Sequence, residues 1–135
     1  MCIRDSSCGQ HHTSDIGFFG AERRAHGRSA PGYQMLLGGY VGQEQIHFGD
    51  KALRLPARNA PEAAVRVVRR FSDERTAGES FRDWMERAGG ARSIAAELKE
   101  LDVFPTPEDG PEFYVDYDET GPYEAEVGAG ECAGV

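Results

Sequence analysis

Ala52-Leu53-Arg54-Leu55-Pro56-Ala57-Arg58-Asn59-Ala60-Pro61-Glu62-Ala63-Ala64-Val65-Arg66-Val67-Val68-Arg69-Arg70-Phe71 is the stretch in which the chain changes its period. Ala52 to Leu55 reads as a strand, and Pro56, which cannot donate to a ladder, stops it. Pro61 suits a first helical turn, where its missing N–H leaves nothing unpaired. Ala64, Val67, Val68 and Phe71 then fall at i, i+3, i+4 and i+7, the stripe of an amphipathic helix. Strand patterns lie upstream of this switch and helical patterns downstream, the segregation of an α+β protein.

Upstream, Ile16-Gly17-Phe18-Phe19 predicts a short buried strand ended by Gly20, and Tyr33-Gln34-Met35-Leu36-Leu37 a second, closed by Gly38-Gly39. Residues 21–32 are polar, carry Arg23, Arg24 and Arg28, and read as a solvated loop. Ile46 and Phe48 alternate with Gln45 and His47, a third strand with one wet face. Downstream, Thr76 and Glu79 have capping-box spacing, and Phe81, Trp84, Met85 and Ala88 form the next stripe. Gly89-Gly90 ends that helix. Ile94, Leu98 and Leu101 predict a third, shorter one. Phe113 to Tyr117 reads as a strand, with Tyr123 to Val127 as its hairpin partner across Gly121-Pro122. The expected architecture is a mixed sheet with helices packed on one side.

The chain has 135 residues and a net charge of −8. A chain this long can bury a real core. All 15 basic residues lie in residues 1–100, against 13 of the 23 acidic ones, so residues 101–135 hold the other 10 (23 − 13) and no base. Such a terminus repels nucleic acid and anionic membranes and reads as solvated. No apolar run reaches the roughly 20 residues of a membrane helix, and no signal peptide is visible. Cys2, Cys8 and Cys132 are odd in number and terminal, which suits a reducing, cytoplasmic setting rather than a disulfide framework. Residues 1–6 show no pattern and read as a non-native leader. Residues 7–102 form the folded unit, and residues 103–135 an acidic extension.

Candidate chemistry gathers in Ser7-Cys8-Gly9-Gln10-His11-His12-Thr13-Ser14-Asp15-Ile16-Gly17-Phe18. Glycine after cysteine lets backbone N–H groups approach a bound anion or a cluster sulfur. Two adjacent histidines invite a zinc reading. On a strand, however, they would point to opposite faces, and no second cysteine lies at zinc-finger spacing. A Cys–His nucleophile pair lacks a third member.

Cys8, six residues, then Asp15-Ile16-Gly17-Phe18 resembles the second half of the signature of the nitrite and sulfite reductase family. Tyr33 to Gly39 is similar to the family's strand ending in Leu-Gly-Gly. Phe71 to Gly89, with Glu74-Arg75, Gly78-Glu79, Phe81, Trp84 and Arg87, is similar to its last helical segment. The likeness spans roughly residues 7–100 and is nearest the ferredoxin-dependent single-chain enzymes of bacteria. It implies the C-terminal part of a sirohaem and [4Fe–4S] domain in a larger enzyme. That enzyme would take electrons from ferredoxin and reduce sulfite to sulfide or nitrite to ammonia, with sulfite weakly favoured. It further implies that Cys8 is a cluster ligand shared with the sirohaem iron. The signature's preceding cysteine is absent, since Arg4 stands four residues before Cys8. The chain thus offers one of four cluster ligands, lacks the family's upstream substrate-binding basic residues, and is expected to be inactive alone. Arg23, Arg24 and Arg28 do not take over that role. A reading of another class is a small non-catalytic binding module with an acidic docking tail.

Overall fold

A computed structural model of the chain describes residues 10–125. Its centre is a three-stranded antiparallel sheet in the order β1 (Ile16–Gly20), β4 (Gly32–Leu37), β7 (Asp50–Pro56). The class is α+β, as expected. Every pairing among the described residues is antiparallel, so no parallel pair of a mixed sheet occurs among them. Ile16 lies opposite Leu37 and Gly20 opposite Tyr33, while Gly32 lies opposite Pro56 and Leu37 opposite Asp50. With both edges paired, β4 is the most buried strand. The register with β7 shifts between Gln34 and Leu36. Gln34, 5% exposed, satisfies the bulge with its own amide: Nε2 donates to the Met35 and Leu53 carbonyls, and Oε1 accepts from Arg54 Nε. A buried amide with these partners avoids the cost of unpaired polar groups.

Met35, Leu37, Leu53 and Leu55 form the sheet side of the main core. Over them pack α1 (Ala60–Glu74), α2 (Phe81–Arg87) and α3 (Ala91–Glu97). Trp84, fully buried, and Phe81 meet Phe71 of α1 with ring centroids 5.4 and 5.3 Å apart, as the helical stripes imply. The face of α1 is rotated from expectation. Ala60, Ala63 and Val67 are buried, whereas Val68 is 52% exposed. Val68 follows Val67 by one residue, about 100° round the helix, and so turns away from the face that Ala60, Ala63 and Val67 bury.

The start of α2 also differs. Ser80, not Thr76, is its N-cap, and its Oγ accepts the Asp83 N–H at 3.2 Å. Thr76 and Glu79 instead close the preceding turn, the Thr76 N–H donating to Glu79 Oε2 at 2.9 Å. The C-terminus follows the glycine reading. Gly90 N–H donates to the Met85 carbonyl and Gly89 N–H to that of Glu86, with φ of +87° and +100° at the two glycines.

Residues 21–32 are not a loop. They form a hairpin of β2 (Arg23–Ala25) and β3 (Arg28–Ala30). His26 and Gly27, both at positive φ, make its two-residue turn, the geometry that matches strand twist. The third expected strand is a small hairpin, β5 (Tyr40–Val41) with β6 (Ile46–His47), whose apolar side chains face solvent rather than the core. Phe113 to Tyr117 is no strand. Pro111–Tyr114 is a short 3-10 helix, because Pro111 cannot join a ladder and the Phe113 N–H turns back to the Gly110 carbonyl. Nor is this region a solvated tail. Phe104 and Tyr114 pack with Ala30 in a second core, and the Tyr114 hydroxyl donates to the Pro105 carbonyl at 2.7 Å.

Candidate functional site: the turn that follows Cys8

Cys8 and Gly9 lie outside the described residues, as do residues 1–6 and Cys132. Immediately after them the chain enters a tight turn. Gln10, at φ +53°, offers one carbonyl to three donors: the Thr13 N–H, the Thr13 hydroxyl and the Ser14 hydroxyl, at 3.0, 3.1 and 3.0 Å. Thr and Ser favour such local bonds, which hold a turn without a longer element. The turn is then fastened to the sheet through main-chain bonds. The His12, Ser14 and Asp15 carbonyls accept from the N–H groups of Gly49, Gly39 and Gly38 at 2.7, 3.1 and 2.8 Å.

Two glycines, Gly17 and Gly39, make this approach possible. A Cβ on Gly17 would lie 1.9 Å from the His11 carbonyl oxygen. One on Gly39 would lie 2.5 Å from Thr13 C and 2.6 Å from Ser14 O, while one on Gly38, at φ +79°, would meet the Met85 side chain. The obstructing atoms at Gly17 and Gly39 are backbone, which cannot swing aside. The glycines of Asp15-Ile16-Gly17-Phe18 and of Leu37-Gly38-Gly39 thus serve one end: they form a cradle for residues 11–15. The cradle is tied to the helices by Arg82, whose guanidinium donates to the Gly38 carbonyl at 2.7 Å and pairs with Glu86.

His11 and His12 do not sit on a strand, so the expectation that they diverge fails. The turn brings their rings to 4.2 Å between centroids, against Phe19 and, for His12, Phe48. No three His, Cys, Asp or Glu side chains gather as a metal site among the described residues. Arg23 and Arg28 lie on the hairpin, and Arg23 reaches the Arg54 carbonyl and the Phe104 ring. No helix of the described residues is long and apolar enough to cross a membrane.

The other residues that carried the resemblance form a second constellation. Arg87 grips Glu79 with two bonds, Nε to Oε1 at 2.8 Å and a terminal nitrogen to Oε2 at 2.9 Å. The same guanidinium donates to the Glu74 carbonyl, and the Trp84 indole N–H donates to the Glu74 carboxylate at 3.1 Å. Arg87, followed by the Thr76 N–H, pulls the Glu79 carboxyl down to about 2. Arg70 first, and Trp84 after it, hold Glu74 below the usual carboxylate range. Burial is the main cause that pushes the Tyr33, Tyr114 and Tyr123 hydroxyls up.

Sequence reading missed Gly49 and Arg82 as parts of the cradle. Gly49 carried a faint signal, a glycine closing an apolar pair. Arg82 carried none, because its partner is a carbonyl 44 residues away.

No protein-family model matches the sequence. The assimilatory ferredoxin-dependent nitrite reductase of Haloferax mediterranei is 36% identical over 88 residues, 65% of this chain and 15% of that protein. A sulfite reductase (ferredoxin) of Mycobacterium tuberculosis is 36% identical over 86 residues, 62% of this chain. The ferredoxin–nitrite reductase of Synechococcus elongatus is 44% identical over 48 residues. The structure of the Mycobacterium tuberculosis NirA protein superposes with a TM-score of 0.57 and 34% identity, covering 65% of this chain and 16% of that one. The chain spans about one-seventh of the length of the first two curated relatives. Sequence and fold agree that about two-thirds of this chain is related to a segment of the ferredoxin-dependent nitrite and sulfite reductases.

Proposed function

We propose that this chain is the C-terminal segment of a ferredoxin-dependent sirohaem reductase acting on sulfite or nitrite, and that Cys8 is its contribution to the cofactor site. The observation that carries the reading is the cradle. Gly17 and Gly39, which give the chain room, and Gly38, whose N–H bonds the Asp15 carbonyl, come from two separate motifs of the resemblance and converge on the turn at residues 10–15, which begins two residues after Cys8. A segment built only to pack would not need backbone seated on backbone at that point. A segment that must hold a thiolate in one position does.

In this reading Cys8 would hold the iron–sulfur and sirohaem pair as a thiolate, and Gly9 would leave room for N–H groups beside the sulfur. When bound, the paired cofactors supply the single-electron deliveries by which sulfite goes to sulfide or nitrite to ammonia. Residues 10–15 anchor the chain just after Cys8, and the sheet and helices fix residues 10–15. The other cluster ligands and the substrate-binding groups belong to the remainder of the parent enzyme, so the 135-residue chain does not turn over alone. Ferredoxin is the electron donor of the parent, and thiolate ligation suits a reducing cytoplasm. The rival reading, a small binding module with an acidic docking tail, is disfavoured because Phe104 and Tyr114 use that region for a core of their own.

Cys8→Ser in the full-length gene product tests the proposal. Serine is a harder donor, poorly matched to an iron–sulfur centre. The expected result is loss of turnover with reduced ferredoxin, together with an altered or missing sirohaem band and lowered iron content. A variant with the wild-type visible spectrum and near-normal turnover would overturn the assignment.

A further inference from the structure

The two edges of the main sheet are built differently. β7 carries Asp50, Lys51, Arg54 and Pro56, the charges and proline that keep an edge from recruiting another strand. β1, Ile16-Gly17-Phe18-Phe19-Gly20, carries neither charge nor proline. Its ladder shows which main-chain groups are left over. The Asp15 carbonyl accepts from the Gly38 N–H, and the Ala21 N–H donates to the Gly32 carbonyl. Bonded and non-bonded positions alternate in an antiparallel pair, so Gly17 and Phe19, opposite Leu36 and Gln34, are the residues bonded to β4. Ile16, Phe18 and Gly20 therefore turn their N–H and C=O groups outward. No partner for any of these groups lies among the described residues.

A second feature lies beside the same edge. Phe18 and Tyr33 of the sheet, Ala60, Pro61 and Ala64 of α1, and Tyr117 line an open apolar groove. Pro61 and Ala64 lead, four residues on, to Val65 and Val68, which are 43% and 52% exposed. From Ala64 round through Val68, Pro61 and Ser72 to Val65, this flank of α1 has no charged side chain. The opposite flank is tied down by charge: Arg66 pairs with Glu62 and Glu100, and Arg70 with Glu97. The apolar stripe of α1 is thus wider than the sheet it covers, and the surplus lies on the side of β1.

Together these features specify one occupant. Unpaired groups at every second residue fit an extended strand, which supplies N–H and C=O groups at the same spacing. A fourth strand, about 4.8 Å beyond β1, would lie under the uncovered flank of α1. Its side chains on that face would be apolar and would alternate with those of the other face. The ends of this chain lack that composition: residues 126–135 include Gly128, Gly130 and Gly134 with two glutamates, and residues 1–6 show no alternation. The chain spans about one-seventh of the length of the first two curated relatives, so in the enzyme proposed above most of the polypeptide lies outside it.

We infer that β1 is an inner strand of the parent enzyme: an apolar, extended segment of the parent polypeptide from outside these residues pairs along the open edge of β1 and fills the groove between Phe18 and α1. The inference rests on the reading of this chain as a segment of a larger enzyme and adds the surface by which the segment joins the rest. It does not depend on the role of Cys8.

The test is amide exchange, resolved by residue, in the full-length gene product. A paired edge should protect Ile16, Phe18 and Gly20 as well as Gly17 and Phe19, because all five would be bonded. An open edge would give an alternating record, with Ile16, Phe18 and Gly20 about a hundredfold faster than Gly17 and Phe19, and that result would overturn the inference. Val68→Asp would set a charge in the filled groove and should quicken exchange at Phe18 by about tenfold, while Val68→Ile leaves it unchanged. Wild-type exchange at Phe18 in Val68→Asp would also overturn the inference. The wild-type record decides the matter if Val68→Asp does not accumulate. Protection that disappears on dilution to monomer would overturn it in favour of a second copy of the chain, and protection that disappears on deletion of residues 126–135 in favour of this chain's own terminus. Iron and sirohaem content of the same sample judges the proposed function separately: a product without either would sink that function, while the exchange record would still decide the pairing.

Discussion

The turn at residues 10–15 and the junction of α1 with α2 are both held tightly, by opposite means. The turn is fixed by main-chain hydrogen bonds and by the missing side chains of Gly17 and Gly39. The junction is fixed by side chains: Arg87, Glu79 and Glu74 around the buried Trp84. The first arrangement uses no titratable group in its bonds to the sheet and has no room for a methyl group. The second has charges that titrate and aromatic volume that cannot be removed. The difference suits their tasks in the proposed enzyme. A ligand-bearing turn needs a backbone that neither pH nor rotamer change can move, whereas a junction between helices needs only to stay closed.

The comparison breaks most severely at Trp84. It touches the rings of Phe71 and Phe81, lies under the guanidinium of Arg70, and is fully shielded from solvent. Trp84→Ala should cost about 3–5 kcal/mol, the range for large aromatic truncations in a core. Denaturant titration measures it. A loss below about 1 kcal/mol would mean that the junction is not the centre of the helical layer.

Gly39→Ala attacks the other region and should cost about 1–3 kcal/mol, since the new methyl meets the main chain of residues 12–14. The more telling readout is local. Amide exchange at Gly49 and Gly38, whose N–H groups hold His12 and Asp15, should quicken far more than exchange in α2. Uniform quickening across the chain would show that the turn has no integrity separate from the core. Gly78→Ala is the contrast. That glycine also has a positive φ, +77°, but nothing lies within 4 Å of its would-be Cβ, so only backbone strain of about 1 kcal/mol is expected.

These two regions were not equally legible in the sequence. The junction could be read from residue types at helical spacing: Phe71, Phe81 and Trp84 had to share a face, and they do. What spacing could not show was which residue caps α2, because Thr76 and Ser80 are both followed three residues later by an acid. Nor could it show the rotation of α1, where the pattern of valines drew the stripe through Val68 although Ala60 and Ala63 are the buried residues. In the cradle, the motif glycines stood out as a pattern, yet their purpose is a contact with residues 11–15 that no local rule encodes. Treating His11 and His12 as strand residues was the corresponding error. The Thr13 and Ser14 bonds to the Gln10 carbonyl make a turn, and the two rings come together. The hairpin at 23–30 was hidden by its arginines, although His26-Gly27 is a turn signal. Cys8 itself lies outside the described residues, and the role proposed for it is read from the motif.

The mildest test uses pH to separate the two regions without changing volume. Glu79 has an ordinary carboxyl value of 4.5 and is held down to about 2 by Arg87 and the Thr76 N–H. The folded-state value lies below the unfolded one, so its contribution to stability is complete above about pH 4.5 and is lost as pH falls through about 2. Glu74 is lowered too and adds to the same acid limb. Unfolding free energy should therefore decline with acid between those limits, and Glu79→Gln should flatten the decline in part while lowering stability at neutral pH. The glutamine can still accept the Thr76 N–H but cannot pair with the guanidinium charge. The cradle behaves differently because its bonds join amides to carbonyls. After correction for the intrinsic pH dependence of exchange, protection of the Gly49 and Gly38 amides should change across that window only as much as global stability does. Selective loss of that protection in acid, or an acid limb unchanged in Glu79→Gln, would show that the division between a charge-held junction and a backbone-held turn is drawn in the wrong place.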